Sequence, residues 1–341
     1  MAEPTSNPAP DFAKRRVLRV LTESLRHEAG VREGDGVLVG CSGGADSVAL
    51  LRAMHALAPK RRWRLRVEAI HVQHHLREAT AERDAAFVAS LCQTLGVEFH
   101  RIDVHEPVAE RMTSRNLELR AREWRLAAYI DVAEKRGLRF VATGHHAGDQ
   151  LETVLMRLMR GAGVSAMSGI APARQLGPGV ALVRPLLRLH PETLRQYLQG
   201  LDQSWQEDET NVDTTRLRAA LRSSVSPALF ELAPDLPERL AGWQTHARDV
   251  GELLRQQAES VRFPLEREQA KQLNPAVFLF ALGQRLADLG ERGDRTPRSL
   301  LDSIRKAVVD EVGKTRRFEL SRSDVVVSRE SVDIVPREKH G

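Results

Sequence analysis

The sequence contains few cysteines. Cys41 and Cys92 are the two cysteines in 341 residues, and they lie too far apart in the sequence to form a C-x-x-C pair. Two cysteines exclude the dense disulfide framework that stabilises small secreted domains. We therefore expect a cytoplasmic protein.

Long apolar runs are missing as well. No apolar segment approaches the ~20 residues that a membrane-spanning helix needs, so we expect no membrane partner. Residues 1–11 are rich in proline and small residues, without the basic start and apolar run of a signal peptide. The chain is nevertheless 42% hydrophobic, which is enough to build apolar cores.

The charges are nearly balanced. Lys and Arg number 51 against 46 Asp and Glu, a formal net charge of +5, and arginine strongly outnumbers lysine. This excess suits a nucleic-acid partner but does not require one, because solvated helix faces also carry arginine. A chain of this length typically forms two or three units.

Strands and helices alternate over the first half of the chain. Strands are predicted at Val37–Cys41, Arg66–Val72, Val97–Val104 and Phe140–Thr143, and helices at Phe12–Leu25, Glu78–Leu95, Asn116–Arg136 and Asp149–Arg160. Such alternation predicts an α/β fold with a doubly wound, mostly parallel sheet. Ligands of these sheets bind beyond the carboxyl ends of the strands.

The second half has a different pattern. A loop rich in Gly and Ala is predicted over Gly161–Pro178, before a short strand at Val180–Val183. The pattern is then helical and arginine-rich from Glu192 to Leu289. Short strands separated by polar turns are predicted at Arg317–Leu320, Asp324–Val327 and Ser331–Val335.

The stretch VLVGCSGGADSVALL, residues 37–51, predicts a strand, a tight turn and a helix. Gly43 and Gly44 allow backbone N–H groups to approach a ligand closely, and the helix dipole favours an anion at this turn. Phosphate is the natural ligand. The common phosphate loop needs a lysine that this turn lacks, so a different phosphate cradle is expected.

A second strand end, Gly144–Thr153, leads into a helix whose first turn carries Asp149 and Glu152 on one face. Acidic residues in a first helical turn are ordinary, because the helix dipole stabilises them. His145 and His146 directly before the helix are not explained by capping. This stretch is therefore a candidate site.

Two further stretches carry polar groups at the expected ligand edge. The three histidines of HVQHHLR, residues 71–77, alternate in direction on a strand, which disfavours a shared metal ion. Glu118, Arg122 and Arg125 share one helix face. A solvated, ion-paired face is the simple alternative for that helix.

Four motifs occur in order: S-G-G-x-D-S, H-V-x-H-x-L-R, N-x-E-x-x-A-R-x-x-R and G-H-H-x-x-D-Q-x-E-T. In this order and spacing the sequence resembles the tRNA(Ile)-lysidine synthetase family of the PP-loop ATP pyrophosphatase superfamily. The match continues through Arg157–Gly163 and Arg184–Leu187 and more weakly over Trp205–Arg222, so it covers about 185 residues. The resemblance implies an N-terminal tail and helix (1–30), a PP-loop domain (31–220), and a helical linker with a small C-terminal tRNA-binding domain (221–341).

The resemblance also implies a reaction. The family uses ATP and Mg²⁺ to adenylate the C2 oxygen of the wobble cytidine in tRNA(Ile) with a CAU anticodon. Free L-lysine then displaces AMP to give lysidine, and pyrophosphate is the other product. The predicted ATP-binding residues are Cys41, Ser42, Gly43, Gly44, Ala45, Asp46, Ser47 and His71, with Asp46 also a metal ligand.

The remaining site residues are predicted at the acceptor. Catalytic roles are expected for Asp149, His145 and Arg125, and substrate binding for Glu152, Arg122 and Glu118. Either Asp149 or His145 could take or position the proton of the lysine amine. Glu152 is the candidate ligand of the lysine ammonium group.

Three positions depart from the family pattern. Gly148 stands where a second acid is common, Leu126 where an aromatic residue is common, and Ala219 where asparagine follows arginine. The alternatives are a tRNA cytidine thiolase of the same superfamily, an amide-forming ligase such as an NAD or GMP synthetase, and an inactive tRNA-binding module. The cysteines do not supply the cluster or persulfide chemistry of a thiolase, and the arginine-rich half is unexplained in an amide-forming ligase.

Overall fold

The computed structural model describes residues 8–73, 78–104, 114–207, 216–291, 298–310 and 314–337. The chain divides into two compact units, one of Met1–Glu152 with Ile170–Glu238 and the other of Thr153–Gly169 with Arg239–Gly341. Within the described ranges no helix is both long and apolar enough to cross a membrane.

A six-stranded sheet forms the centre of the first unit. Its strands are β1 (Gly36–Gly40), β2 (Arg66–Gln73), β3 (Glu98–Asp103), β4 (Phe140–Ala142), β5 (Ala173–Gly177) and β6 (Val180–Val183), in the order β3-β2-β1-β4-β6-β5. All neighbouring strands are parallel except β5, which runs antiparallel to β6. This topology confirms the predicted α/β class with a mostly parallel sheet.

The prediction of a loop over Gly161–Pro178 was wrong for part of its length. Strand β5 lies inside it and forms an edge hairpin with β6. The sequence ARQLG has little β-propensity of its own, and the strand exists because β6 offers a free edge next to a turn that Gly179 makes with a φ of +76°.

The helices of the first unit follow the strands as predicted. They are α1 (Pro8–Glu23), α2 (Ala45–Leu57), α3 (Glu78–Leu95), α4 (Ser114–Arg136), α5 (Ala147–Met159), α6 (Pro191–Gln199), α7 (Arg216–Ala220) and α8 (Ser226–Leu232). Two π-helical turns, Ser24–Glu28 and Leu221–Val225, continue α1 and α7. The last residues of α5 belong to the second unit.

Both faces of the sheet are covered. Val37 and Val39 of β1 are fully buried in the cluster that includes α2, whereas Leu38 points to the other face and is buried in the cluster that includes Tyr129 of α4. A strand buried on both faces reads as a continuous apolar run, which is why VLV was recognisable in the sequence. Burying each such side chain stabilises the fold by ~1.5–3 kcal/mol.

The second unit combines helices with a small antiparallel sheet. Its main elements are α9 (Leu236–Ala258, the first three residues of which belong to the first unit), α10 (Arg267–Gln272), α11 (Pro275–Asp288), α12 (Arg298–Val309), β7 (Leu265–Glu266), β8 (Arg316–Glu319), β9 (Ser323–Val327) and β10 (Ser331–Pro336). The sheet order is β7-β10-β9-β8. The three predicted terminal strands are confirmed. The prediction of a helical pattern, interrupted at prolines, from Glu192 to Leu289 was wrong at β7, whose two residues are too few to give a strand signal.

Candidate active site

Hydrogen bonds between Ser42, Ser47 and the backbone stabilise the turn between β1 and α2. The Ser47 hydroxyl donates to the Gly44 carbonyl at 2.9 Å and accepts the Ser42 backbone N–H at 3.1 Å, while the Ser42 hydroxyl lies 3.2 Å from it. Gly43 has a φ of +98°, which side-chain-bearing residues rarely adopt. Ser47 is buried and Ser42 is exposed. The serine pair therefore closes the turn from inside and leaves its outer surface open to a ligand.

Helix α2 starts directly after this turn. Gly44 precedes the helix and has no side chain that could cap the first backbone N–H groups. These N–H groups and the helix dipole favour an anion. Asp46 lies in the same first turn with a side chain that is 41% exposed, so a carboxylate is available beside the expected phosphate position.

Two residues from elsewhere in the first unit support the turn. The buried His71 ring donates from Nδ1 to the Cys41 carbonyl at 2.9 Å, and the backbone N–H of Gln206 donates to the Gly43 carbonyl at 2.9 Å. Burial lowers the pKa of His71, which keeps the ring neutral. His71 thus lies at the predicted ATP site and acts on the backbone of the turn. Residues 74–77 of the same motif lie outside the described residues.

The two cysteines are inert in this fold. Cys41 and Cys92 are both buried and unpaired. Burial raises the pKa of the Cys41 thiol, and burial together with nearby Cys41 raises the pKa of Cys92 to about 12. Neither side chain is a thiolate near neutral pH, so neither is a reactive nucleophile or a ready metal ligand.

A second strand end lies against this turn. Strand β4 is the parallel neighbour of β1, so the carboxyl ends of the two strands meet at one edge of the sheet. A Cβ on Gly144 would lie 2.9 Å from the Asp46 carbonyl carbon and 3.0 Å from the Ser47 nitrogen. Glycine is therefore required for this approach, which brings the first turn of α5 beside the first turn of α2.

His146 caps α5. The backbone N–H of Gly148 donates to His146 Nδ1 at 3.0 Å, and the His146 backbone N–H donates to Asp149 Oδ2 at 2.9 Å. These reciprocal bonds have the form of a capping box. The expectation that capping does not explain the two histidines was wrong for His146. Histidine is not among the usual capping residues, but the ring nitrogen of His146 accepts the hydrogen bond that a serine oxygen usually accepts.

His146 also connects the two turns. Its Nε2 lies 3.3 Å from Asp46 Oδ2. Burial lowers the pKa of His146, but the carboxylates of Asp149 and Asp46 outweigh burial and raise it to about 9. The Gly148 hydrogen bond needs an unprotonated Nδ1 and therefore belongs to the neutral ring with Nε2–H facing Asp46, whereas a pKa of about 9 makes the protonated ring the main form near neutral pH. Protonation would exchange that bond for an ion pair with Asp149 Oδ2, which is 3.7 Å from Nδ1.

Asp149 and Glu152 face two arginines. Glu152 is 2% exposed and accepts from Arg222 Nε at 2.8 Å and from Arg218 Nε at 3.0 Å. Arg222 also donates from Nη2 to Asp149 Oδ1 at 3.1 Å. Burial raises the pKa of Asp149, but His146, His145 and Arg222 outweigh it and lower this pKa below its ordinary value. Asp149 is thus ionised, and both buried acids are paired with arginine.

His145 has a contrasting environment. Its Nδ1 lies 3.0 Å from the Thr143 hydroxyl. Burial lowers the pKa of His145 to about 4, with Asp149 opposing this and the cations of Arg184 and Arg122 adding to it. Arg184 itself is buried, and burial together with Arg174 and Arg122 lowers its pKa to about 10. A neutral imidazole therefore lies in a positively charged part of the site.

The structure brings together some of the predicted residues. Asp46, His145, Asp149 and Glu152 lie at one edge of the sheet, and the charge of Arg122 on α4 reaches His145. Arg125 is exposed on α4, and its charge acts on Tyr129, one helical turn away. The side chain of Glu118 lies outside the described residues. The roles of these three α4 residues stay predictions.

Three residues of this site have no signal in the sequence. They are Arg218, Arg222 and Gln206, each defined by contacts between distant segments. His146 lies in a predicted stretch, but no role was predicted for it, although its place directly before a predicted helix is a signal for capping. The arginines lie about 70 residues from their carboxylate partners, and nothing in the sequence encodes such a pairing.

The contact between Gly148 and His146 predicts an unusual effect of alanine. A Cβ on Gly148 would lie 2.8 Å from His146 Cε1, so Gly148→Ala should displace the ring and cost about 1–3 kcal/mol of stability. Gly242→Ala is the matched control, since no heavy atom lies within 4 Å of its Cβ position, and it should stabilise by ~0.5–1 kcal/mol. Thermal unfolding of both variants measures this. A stabilised Gly148→Ala protein would contradict the packing described.

The depressed pKa of His145 predicts a loss of stability in acid. The folded-state pKa is about 4 and the ordinary value is 6.5, so the unfolded chain takes up this proton first as the pH falls. The contribution of His145 is complete above pH 6.5 and decreases by up to roughly 3 kcal/mol as the pH falls to about 4. His145→Asn should flatten the dependence of the unfolding temperature on pH between these values. The exposed His27→Asn is the control, and equal slopes for His145→Asn and wild type would refute the assignment.

The sequence of this chain is similar to the sequences of known proteins. A tRNA(Ile)-lysidine synthase of Bacteroides thetaiotaomicron is 35% identical over 216 residues, which cover 63% of this chain and 48% of that protein. A tRNA(Ile)-lysidine synthase of Symbiobacterium thermophilum is 38% identical over 213 residues, covering 62% of this chain and 43% of that protein. The chain spans about half the length of the curated relatives it matches.

A solved structure and a family model agree on the fold. The U34-tRNA thiolase NcsA from Methanococcus maripaludis with its [4Fe-4S] cluster aligns with a TM-score of 0.56 at 16% identity, over 70% of this chain and 80% of that one. Similarity at this identity shows the fold alone. The family model described as a PP-loop domain matches residues 13–229, which is more than half of the chain and includes both turns of the site. This chain belongs to the PP-loop family.

Proposed function

We propose that this protein converts the wobble cytidine of tRNA(Ile) with a CAU anticodon to lysidine, using ATP and free L-lysine. The observation that carries the proposal is the meeting of two turns at one sheet edge, the Ser42–Ser47 turn and the first turn of α5. One turn suits a phosphate group and the other suits an acceptor base and an amine. The similarity to tRNA(Ile)-lysidine synthases supports the choice of substrate.

The first step of the proposal is attack of the cytidine C2 oxygen on the α-phosphate of ATP. Backbone N–H groups at Gly43, Gly44 and the start of α2 stabilise the charge that develops as pyrophosphate leaves. Asp46 fits Mg²⁺, which prefers one or two carboxylates together with phosphate oxygens. When bound, Mg²⁺ neutralises phosphate charge. Asp46 Oδ2 faces His146, so His146 orients the carboxylate that would hold Mg²⁺.

The second step is displacement of AMP by the ε-amine of lysine. This amine has an ordinary pKa near ~10.4, and it must lose protons on the way to the product. We assign His145 as the group that accepts a proton, since its ring is neutral and its Nδ1 faces Thr143, which leaves Nε2 for the substrate. A base of this low pKa is effective only once the attacking nitrogen carries developing positive charge.

Asp149 is assigned a positioning role. Its carboxylate is held from one side by the His146 backbone N–H and from the other by Arg222. A carboxylate held in this way supplies a fixed negative charge for the cationic amine. Glu152 stays a predicted ligand of the lysine ammonium group. Two guanidinium groups occupy the positions that the ammonium would take, so binding there requires lysine to replace an arginine contact.

A thiolase is disfavoured by the environment of the cysteines. Cluster-dependent thiolation needs thiolate ligands. The two cysteines of this sequence are buried thiols with raised pKa values. The similarity to NcsA does not change this conclusion, because it concerns the fold.

The assignment of residues 221–341 to tRNA binding also stays a prediction. Many arginines of this part are engaged by neighbouring groups. Arg255, Arg298, Arg316 and Arg337 pair with acidic side chains, and Arg267 is buried with its guanidinium on the carbonyls of Ala307 and Val308. Paired arginines attract phosphate less strongly than unpaired ones.

We propose the cytoplasm as the location, where tRNA, ATP and free lysine are together.

The proposal is tested by analysing the product. Full-length tRNA(Ile) is incubated with the protein, ATP, Mg²⁺ and an equimolar mixture of amino acids, and its nucleosides are then separated and weighed by mass spectrometry. We expect lysidine in place of one cytidine. Asp46→Asn should lower the yield at least a hundredfold with little change in tRNA affinity, because the phosphate site and the RNA contacts are different surfaces.

Asp131→Asn is the matched control. Asp131 is an exposed aspartate on α4 that pairs with Lys135, so its loss removes one charge away from the site. The control should retain wild-type yield. A thiolated nucleoside would establish the thiolase alternative, and tRNA binding without any product would establish the inactive binding module.

A further inference from the structure

A second positively charged surface lies away from the candidate active site. The loop between α2 and β2 contains the sequence KRRWR, residues 60–64, here named the basic turn. It borders an open cleft of about 600 Å³ lined by Lys60, Arg61, Arg62, Arg64 and Glu33. Because the loop leads into β2, it lies at the amino-terminal edge of the parallel sheet. The candidate active site lies at the opposite edge.

The basic turn is anchored to the core. Trp63 is 1% exposed, and the guanidinium of Arg26 lies 5.0 Å from the centre of its ring. The Trp63 backbone donates to the Lys60 carbonyl at 2.7 Å and accepts from the Gly34 N–H at 2.8 Å. These contacts fix the backbone while the neighbouring side chains point outward. The basic turn is therefore preorganised.

The backbone of the basic turn is also strained. Arg64 has a φ of +41°, a region that residues with a Cβ rarely enter. A residue held there strains the backbone, and such strain is often found at ligand-binding loops. Glycine at this position would remove the strain but also a cation of the cleft. The chain instead keeps arginine.

Three of the four cations of the basic turn are not paired with an acid in the described residues. Nearby arginines at this edge pair with acids: Arg136 with Glu68, and Arg139 with Asp35. In the described ranges, Lys60, Arg61 and Arg62 are exposed and have no acidic partner within ion-pair distance, and Arg64 is 3.6 Å from Glu33. Three unpaired cations in consecutive positions create a local positive potential, although the positive and negative charges of the whole chain nearly balance.

We infer that the basic turn binds the phosphodiester backbone of the RNA substrate at a point remote from the wobble base. An open cleft with spread, flexible cations suits an extended polyanion. A small anion would need converging buried donors, and the cations that line this cleft are exposed. The identity of the RNA rests on the proposed function. The binding of a polyanion at this cleft does not.

The geometry determines which RNA can reach the basic turn. Strand β2 has eight residues, so the two edges of the sheet are about 25 Å apart at ~3.3 Å per residue. A minimal anticodon stem-loop bound at the active-site edge lies near the wobble base only. Full-length tRNA can extend to the second edge, so the basic turn should distinguish the two RNAs.

The test compares two double variants with wild type. Arg61→Ala/Arg62→Ala removes two cations from the basic turn, and Lys14→Ala/Arg19→Ala removes two exposed cations from α1 as a charge-matched control. Affinity is measured for full-length tRNA(Ile) and for its anticodon stem-loop over a range of salt concentrations. Loss of two phosphate contacts should weaken tRNA binding at least fivefold at low salt. It should also reduce the log–log salt slope by roughly 1–2, since each phosphate contributes ~0.7–0.9.

The stem-loop should bind the two double variants and wild type equally. The inference would be overturned if Arg61→Ala/Arg62→Ala bound full-length tRNA with the affinity and salt slope of wild type. It would also be overturned if the Lys14→Ala/Arg19→Ala control lost as much affinity. An equal loss for the stem-loop would overturn the remote location. These binding results do not depend on lysidine formation, so absence of lysidine would refute the proposed function and leave this inference standing or falling by its own measurement.

Discussion

The candidate site depends on one close backbone contact, the approach of Gly144 to the first turn of α2. Parallel pairing of β1 with β4 brings their carboxyl ends to the same edge. Only a residue without a Cβ can then lie against the Asp46 carbonyl and the Ser47 nitrogen, because a Cβ would come within 3.0 Å of both. This contact lets His146 reach Asp46 across the gap between the two helices. The Ser42–Ser47 turn and the first turn of α5 therefore lie side by side at one edge of the sheet.

The environment of the site keeps Asp149 charged and His145 neutral. Nearby cations and the His146 backbone N–H lower the pKa of Asp149 and keep it ionised, while His145 is held neutral by burial beside cations. Groups whose environments push their pKa values apart can take different roles at one pH. Removing a partner from a buried ion pair leaves an uncompensated charge, which is costly. Glu152 and the two arginines, Arg218 and Arg222, therefore stabilise one another's positions.

The sequence predicted the elements whose signals are local. The bounds of α3 and β6 agree with the predicted Glu78–Leu95 and Val180–Val183, because strong periodicity and apolar runs mark them. Strands β5 and β7 were missed, since each depends on a neighbouring strand and has a weak or very short pattern of its own. The turn between β1 and α2 was predicted from its glycines and serines, and its role in binding phosphate stays a prediction. The contact of His146 with Asp46 and the pairing of Arg218 and Arg222 with Glu152 join distant segments, and a single sequence does not contain such contacts.

We propose that the site uses ATP to turn a cytosine oxygen into a leaving group, and an isotope label on that oxygen tests this. Full-length tRNA(Ile) carrying ¹⁸O at C2 of the wobble cytidine is incubated with the protein, ATP, Mg²⁺ and L-lysine, and the released AMP is weighed by mass spectrometry. AMP should carry the ¹⁸O label in proportion to the lysidine formed. Unlabelled AMP accompanying lysidine would refute the proposal, because the C2 oxygen would then have left by another route.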